Sequence, residues 1–593
     1  MQAALRLDEN PCRPRHFRPP PPCTPIVPDE RQAALLETCR ARLVMTAAVF
    51  AVVFLVVALR LAGMALLSGG AAEASAGRVR SLTAPPPARA DIVDRNGQLL
   101  ATTLNSPSLY ADARQILDAG EATRAILSVL PQLNAADIHA KLSSGKSFVW
   151  IKRRLTPRQQ YDINRLGIPG LQFENEERRI YPYADLASHV VGFSGIDNNG
   201  LAGIERALDG TVKNSSGPLK LSLDARVQFI LHQELTRVID EFSAKGGAGI
   251  IMDVHTGEII AMVSLPDFDP NHPTAADPKL PPSEAKERIF NKITLGVYEM
   301  GSVFKIFNTA MALDYGVTSM AKGYDASRPI RIGRFTITDY KGKNRWLSTP
   351  EIFMYSSNIA SARMAVDAGA ERQRNFLGRL GLLKPVPIEL DEVGKPHYPN
   401  AKSWREINVM TIAYGHGISV TPLHLVTAVA ATVNGGVLRR PTLRKVPSGT
   451  IPPGEQVMSP KTSENMRKLM RLVVSHGTAK FAAAPGYVVG GKTGTAEKNS
   501  GGRYQGKKLL SSFVGVFPMH DPKYAILTMV DEPKGTKQSH GYATAGWTAV
   551  PATGRVIQRI GPILGVPAVD EASPAVARAL AIESIQGKRI EAY

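Results

Sequence analysis

The sequence predicts an α+β protein carried on a single N-terminal transmembrane helix, and three observations support this. An uncharged apolar run lies near the start of the chain. Two β-rich runs flanking His255-Thr256-Gly257 read as a hairpin that opens a long C-terminal segment. Helical stretches then separate that hairpin from a late strand at "VVGGKTGTAEK", the pattern of a sheet covered by helices. Between anchor and hairpin the strand and helix signals alternate, which predicts a mixed α/β segment. A chain of 593 residues is long enough to divide into two or three such parts.

Taken in order, residues 1–42 include "PRHFRPPPPCTPIVPDE", too rich in proline and too poor in apolar residues to form a core, and read as a disordered tail. Residues 43–67 read as the anchor. Leu43 to Leu59 carry no charge, and at about 1.5 Å per residue they cross most of a ~30 Å hydrocarbon layer, with Leu61 to Leu67 completing the span. Arg60 must then snorkel to an interface or pair with another helix. Arg40 and Arg42 place the amino end in the cytoplasm, against a weaker opposing pair at Arg78 and Arg80. Ala74-Ser75-Ala76 offers a small-x-small cleavage site, but the preceding tail and apolar run are longer than a signal peptide needs, so the anchor is read as uncleaved.

All three cysteines, Cys12, Cys23 and Cys39, precede the anchor. They stay in the reducing compartment, and no disulfide can staple the main body. The formal charge of +19 is spread along the chain. It favours anionic partners, but no zinc-finger spacing, RNA-binding signature or basic arm accompanies it, so nucleic acid is not an expected partner.

Residues 68–88 are a linker ending in "TAPPPAR". In 89–240, "DIVDRNGQLLATT" reads as strand, Asn-Gly turn, strand, and the segment carries no constellation of catalytic side chains. Residues 246–562 form the sheet-and-helix domain and 563–593 a C-terminal tail.

The chemistry lies in "YEMGSVFKIF". A serine and a lysine three apart share a helix face, so the Lys305 amine can reach the Ser302 hydroxyl. A hydroxyl is a poor nucleophile until a base takes its proton, and lysine is a base only as the neutral amine. The pattern alone is weak, since Ser143–Lys146, Ser283–Lys286 and Ser319–Lys322 share it. Ser302 differs in context: Gly301 permits a tight turn, and apolar residues then recur at helical spacing. Downstream, "YSSNIA" supplies Ser356 and Asn358, and "GGKTGTAE" supplies Lys492, Thr493, Gly494 and Thr495. Together these make the S-x-x-K, S-x-N, K-T-G set of penicillin-recognising serine enzymes.

With that set in place, the chain resembles a class B penicillin-binding protein, a peptidoglycan D,D-transpeptidase, and above all the division-specific (septal) member. The resemblance runs from Arg89 to Val556 through "ARADIVDRNGQLLA", "RRIYPYADLASHVVGFSGIDNNGLAGIERALD", "YGHGISVTPLHL" and "FVGVFPMHDPKYAILTMVDEP". "RAD" replaces the usual Arg-Gly before the "DRNG" strand, and Met300 stands where proline is frequent, but neither is a reacting group.

The resemblance implies a mixed α/β pedestal for 89–240, a penicillin-binding transpeptidase domain for 246–562 made of an antiparallel sheet covered by helices with an all-helical subdomain, and no cofactor or metal. It implies that Ser302 attacks the carbonyl between two terminal D-alanines of a stem peptide, with Lys305 as base. Ser356 relays a proton to the leaving amine, and Asn358 holds the substrate backbone and the lysine. Lys492, Thr493, Gly494 and Thr495 take the substrate carboxylate, and the backbone N–H groups of Ser302 and Thr495 form the oxyanion hole. β-Lactams acylate the same serine. No glutamate-rich glycosyltransferase signature stands between anchor and hairpin, so a SEDS-family glycosyltransferase and other divisome membrane proteins are the implied partners, at the bacterial inner membrane with the catalytic domain in the periplasm. An elongation-specific transpeptidase, a β-lactamase and a non-catalytic β-lactam sensor or scaffold are the alternatives.

Overall fold

The computed structural model describes residues 30–67, 89–273, 281–333, 335–500 and 503–582. They belong to two compact units, Met1–Pro86 and Pro87–Tyr593.

Among the described residues, the first unit contains one helix, Glu30–Leu67. It takes in residues 30–42, where the sequence predicts a disordered tail. The reason is local: "ERQAALLETCRAR" is made largely of strong helix formers and contains no proline. The helix runs on through Arg60 without a break. Its stretch Ala41–Arg60 is long and apolar enough to cross a membrane, and it is unburied within the structure. The proline-rich tail, the linker and the Ala74–Ala76 site lie outside the described residues.

The second unit begins with a five-stranded pedestal sheet. Ile92–Val93 and Leu99–Ala111 pair antiparallel around the Asn-Gly turn, which is closed by a 2.8 Å bond from Asp94 N to Gln98 O. The long strand continues outward and pairs along its length with Leu171–Ile180. Helices Ala119–Val129, Ala135–Leu142 and Pro157–Asn164 surround its distal half and build a separate small core around Leu109, Ile126 and Ile138.

Three of the quoted segments, "ARADIV", "RRIYPY" and "GIERALD", converge on a buried ion cluster. Arg89 Nε lies 2.5 Å from Glu205 and Arg179 Nε 2.7 Å from the other oxygen of the same carboxylate, while Arg89 Nη1 reaches Asp209 at 2.6 Å. Arg179 also donates to the carbonyls of Arg89 and Ala90. Burial of these charges is tolerable only because each has partners on several sides.

The larger sheet is built from β1 (Gly246–Asp253), β2 (Ile259–Leu265), β3 (Gly490–Ser500), β4 (Arg503–Phe517) and β5 (Tyr524–Asp531). All neighbours are antiparallel and the order is β3-β4-β5-β1-β2, which puts the late strand β3 at one edge. The β1–β2 hairpin turns where expected: Asp253 Oδ1 accepts from the backbone N–H groups of His255 and Thr256, and Gly257 adopts φ +80°.

Both faces of this sheet are covered, and alternation along β1 shows how. Gly247 and Gly249 face Ile239, Leu231 and Leu235 of the helix Ala225–Glu241, which packs beside Ala549–Ile563. Met252, on the opposite face, meets Thr427 of the buried helix Pro422–Val433, whose neighbour is Pro460–Ser475. The helix Ala225–Glu241, which the sequence reading assigns to the pedestal, therefore packs on the larger sheet. Beyond residue 563 the chain remains in contact with the body: Glu571 pairs with Arg471 at 2.6 Å, and Val576 and Leu580 of the helix Pro574–Leu580 are buried. The helical subdomain also includes two short antiparallel ribbons, Gly323–Asp325 with Trp346–Ser348 and Ile330–Ile332 with Phe335–Ile337.

Candidate active site

Ser302 lies in a single tight turn, Gly301–Phe304, which leads directly into the helix Lys305–Asp314. Gly301 adopts φ +54°, and a Cβ there would stand 3.1 Å from the carbonyl oxygen of Thr495. Gly415 holds the turn from the other side, since a Cβ at that position would collide with the Gly301 carbonyl. Val303, Phe304, Ile306 and Phe307 are buried and fix the helix in the core, leaving Ser302 partly exposed.

Lys305 is fully buried. Its Nζ lies 2.9 Å from Ser302 Oγ, 3.0 Å from Ser356 Oγ, and 2.7 Å from both the Ser356 carbonyl and Asn358 Oδ1. Burial pushes its pKa well below the usual lysine value, and the Lys492 charge lowers it further, partly offset by Asp339. Lys492 is also fully buried, and loss of water brings it down to about 7. Its Nζ donates to Ser356 Oγ at 2.9 Å. The Ser356 hydroxyl is therefore shared by the two lysines.

A helix break aims the S-x-N residues. A capping box at Ser348 and Glu351 starts the helix Thr349–Tyr355, and Ser356 ends it in the left-handed region at φ 60°. That conformation costs a non-glycine residue about 1–2 kcal/mol. It lets a new helix, Asn358–Ala368, start two residues later with Ser357 as its N-cap. Asp339 secures this restart: one carboxylate oxygen accepts from the N–H groups of Asn358 and Ile359, and the other accepts from Ser357 Oγ at 2.7 Å. Asn358 Nδ2 donates to the Thr338 carbonyl at 2.9 Å, which turns Oδ1 toward Lys305.

On β3, Thr493 Oγ1 lies 2.8 Å from Thr478 Oγ1, and Thr495 Oγ1 accepts from Ala545 N at 3.2 Å. Gly494 is a packing requirement, because a Cβ there would stand 2.5 Å from the Met300 carbonyl, just before the nucleophile turn. The structure thus gathers Ser302, Lys305, Ser356, Asn358 and Lys492 into one hydrogen-bonded group, with Thr493, Gly494 and Thr495 on the adjoining strand. The residues sequence reasoning missed are supports: Asp339, Gly415, Thr478 and Ala545. Gly415 lies within "YGHGISVTPLHL", so a signal was present; nothing marks Asp339 or Thr478. Among the described residues, no group of His, Cys, Asp and Glu is arranged to hold a metal ion.

A serine beside a desolvated lysine, a second serine between two lysines, and a K-T-G edge strand define a penicillin-recognising serine acyltransferase. The comparisons agree. Residues 247–549 match the penicillin binding protein transpeptidase domain, and 84–237 match the penicillin-binding protein dimerisation domain. The chain is 42% identical to the probable peptidoglycan D,D-transpeptidase FtsI of Caulobacter vibrioides, over 81% of this chain and 82% of that one. It is 26% identical to the peptidoglycan D,D-transpeptidase FtsI of Escherichia coli, over 77% and 81%. The crystal structure of penicillin binding protein 3 from Mycobacterium tuberculosis, complexed with aztreonam, shares the fold at a TM-score of 0.63 and 23% identity, covering 82% of this chain and 98% of that one. The chain belongs to the class B penicillin-binding proteins, with a dimerisation domain followed by a transpeptidase domain.

Proposed function

We propose that this protein is a peptidoglycan D,D-transpeptidase that crosslinks stem peptides during septal wall synthesis and is acylated by β-lactams at Ser302. The observation that supports this best is the Lys305 amine, fully buried and 2.9 Å from Ser302 Oγ. A neutral amine has two N–H groups and one lone pair. The two pure acceptors, the Ser356 carbonyl and Asn358 Oδ1, take the N–H groups and leave the lone pair for a hydroxyl.

Ser302 Oγ attacks the penultimate D-alanine carbonyl as Lys305 accepts its proton. Backbone N–H groups of Ser302 and Thr495 stabilise the oxyanion that develops. Ser356, between Lys305 and Lys492, passes a proton to the departing D-alanine amine. An acceptor amine from a second stem then cleaves the Ser302 ester and completes the crosslink. Lys492, while charged, and the Thr493 and Thr495 hydroxyls hold the terminal carboxylate of the donor, and Gly494 lets the strand approach the nucleophile turn.

The apolar helix anchors the chain in the inner membrane with the amino end in the cytoplasm and the catalytic domain in the periplasm. A SEDS-family glycosyltransferase and other divisome membrane proteins are its partners, a reading supported by kinship with class B penicillin-binding proteins and by the lack of a glycosyltransferase signature between anchor and hairpin. Depletion in cells tests the septal role: filaments are expected, and rounded cells would assign it to elongation.

A further inference from the structure

The loop that follows Asp339 and the loop that follows β5 meet beside the catalytic group, where Lys341 approaches the Tyr542 ring. On one side, Thr338 and Asp339 are tied to Ser357 and Asn358, so the next residues, Tyr340 and Lys341, project from the S-x-N wall. On the other side, the Ala543 carbonyl accepts from Ser511 Oγ and Ala545 N donates to Thr495 Oγ1, so Tyr542 belongs to the K-T-G wall. The Tyr542 ring stacks parallel to Trp547 at 6.4 Å, which in turn lies 5.7 Å from Phe481. Lys341 Nζ stands 5.9 Å from the centroid of Tyr340 and 5.9 Å from that of Tyr542.

This cation is exposed and forms no ion pair among the described residues. The nearest carboxylate in sequence, Asp339, has both oxygens committed to Ser357, Asn358 and Ile359. Lys343, two residues on, adds a second positive charge over the Tyr355 ring at 4.6 Å. Two ring faces within about 6 Å attract an ammonium without using its N–H donors as a carboxylate would. The junction of the two loops therefore carries a cation with donors to spare.

We propose that Lys341, between Tyr340 and Tyr542, is a specificity-determining residue that receives a carboxylate carried by the donor stem upstream of its D-Ala-D-Ala end. The proposal rests on the transpeptidase reading and deepens it. With the terminal carboxylate at β3 and the scissile carbonyl at Ser302, the rest of the stem leaves past Asn358, where Thr338 leads to Lys341. A free carboxylate there gains a charge-assisted bond that a neutral amide cannot match.

The test uses the full-length protein in detergent and two donor thioesters that differ only in the third stem residue, a diaminopimelate whose side-chain carboxyl is free or amidated. The ratio of kcat/KM, free over amidated, is expected to be about tenfold in the wild type, the yield of one charge-assisted hydrogen bond. It should fall to about one in Lys341→Met and be kept in Lys341→Arg. A purely structural role for the loop would slow both donors together and leave the ratio in place. A wild-type ratio near one, or a ratio that survives Lys341→Met, overturns the proposal. A wild type acylated by neither thioester nor benzylpenicillin overturns the transpeptidase reading as well, whereas acylation by both thioesters at equal rates overturns Lys341 alone.

Discussion

Lys305 and Lys492 must hold different protonation states for the proposed chemistry to run, and the structure gives each a reason. Lys305 acts as a base only when neutral, and burial beside a second cation lowers its pKa. Lys492 holds a carboxylate only while charged, and its pKa is brought down to about 7. Acid therefore protonates the base and slows acylation, and alkali above about 7 discharges the anchor and slows it again. The rate of penicillin acylation against pH should form a bell with its falling limb beginning near neutrality. In Lys492→Arg, whose guanidinium stays charged, that limb should move to higher pH whatever the absolute rate. A falling limb unmoved by this change would assign it to another group. Ser302, Lys305, Ser356, Asn358 and Lys492 could be found from the sequence because each sits in a short pattern with fixed spacing. Asp339 could not, because its importance lies in three hydrogen bonds to residues 18 to 20 positions away.

Between elements, the nucleophile turn is clamped by glycines whose absent side chains are the point of contact. Gly415 has φ +83° and its Cβ would occupy the space of the Gly301 carbonyl, so Gly415→Ala should displace the turn. We expect penicillin acylation to fall by at least about tenfold, as misplacing reacting groups by a fraction of an ångström can cause, while the melting curve shows that the domain still folds. Unchanged acylation would show that the turn is held elsewhere. Element types were readable where periodicity is strong: the β1–β2 hairpin, the helix after Ser302 and the late strand β3. The placement of the helix Ala225–Glu241 was not, since its apolar stripe says that it packs but not on which sheet. Glycines 247 and 249, which make room for it, lie in the following strand.

Across the second unit, the pedestal is held by Arg89, just before the strand Ile92–Val93, by Arg179, at the end of the strand Leu171–Ile180, and by Glu205 between them. Glu205→Ala leaves two buried guanidiniums facing each other and should cost about 3–5 kcal/mol, seen as a lower melting temperature and earlier proteolysis within 89–224. Replacing the exposed pair Arg158 and Asp162, 3.9 Å apart, with alanines should leave melting unchanged. Because residues from 87 on form one compact unit, a fragment starting at Arg89 should be soluble and still acylated by penicillin. The cluster was only partly legible: its three segments stood out by resemblance, but charge composition alone does not reveal which arginines are buried.

Acylation of Ser302 can be read from the intact mass of the solubilised full-length protein before and after benzylpenicillin, with peptide mapping and a Ser302→Ala control. One stable adduct per chain, mapped to the peptide containing "YEMGSVFK" and absent from Ser302→Ala, is the expected result. No adduct under conditions where the protein is folded, or an adduct that maps elsewhere and persists in Ser302→Ala, would contradict the transpeptidase account and favour a non-catalytic scaffold on the same fold.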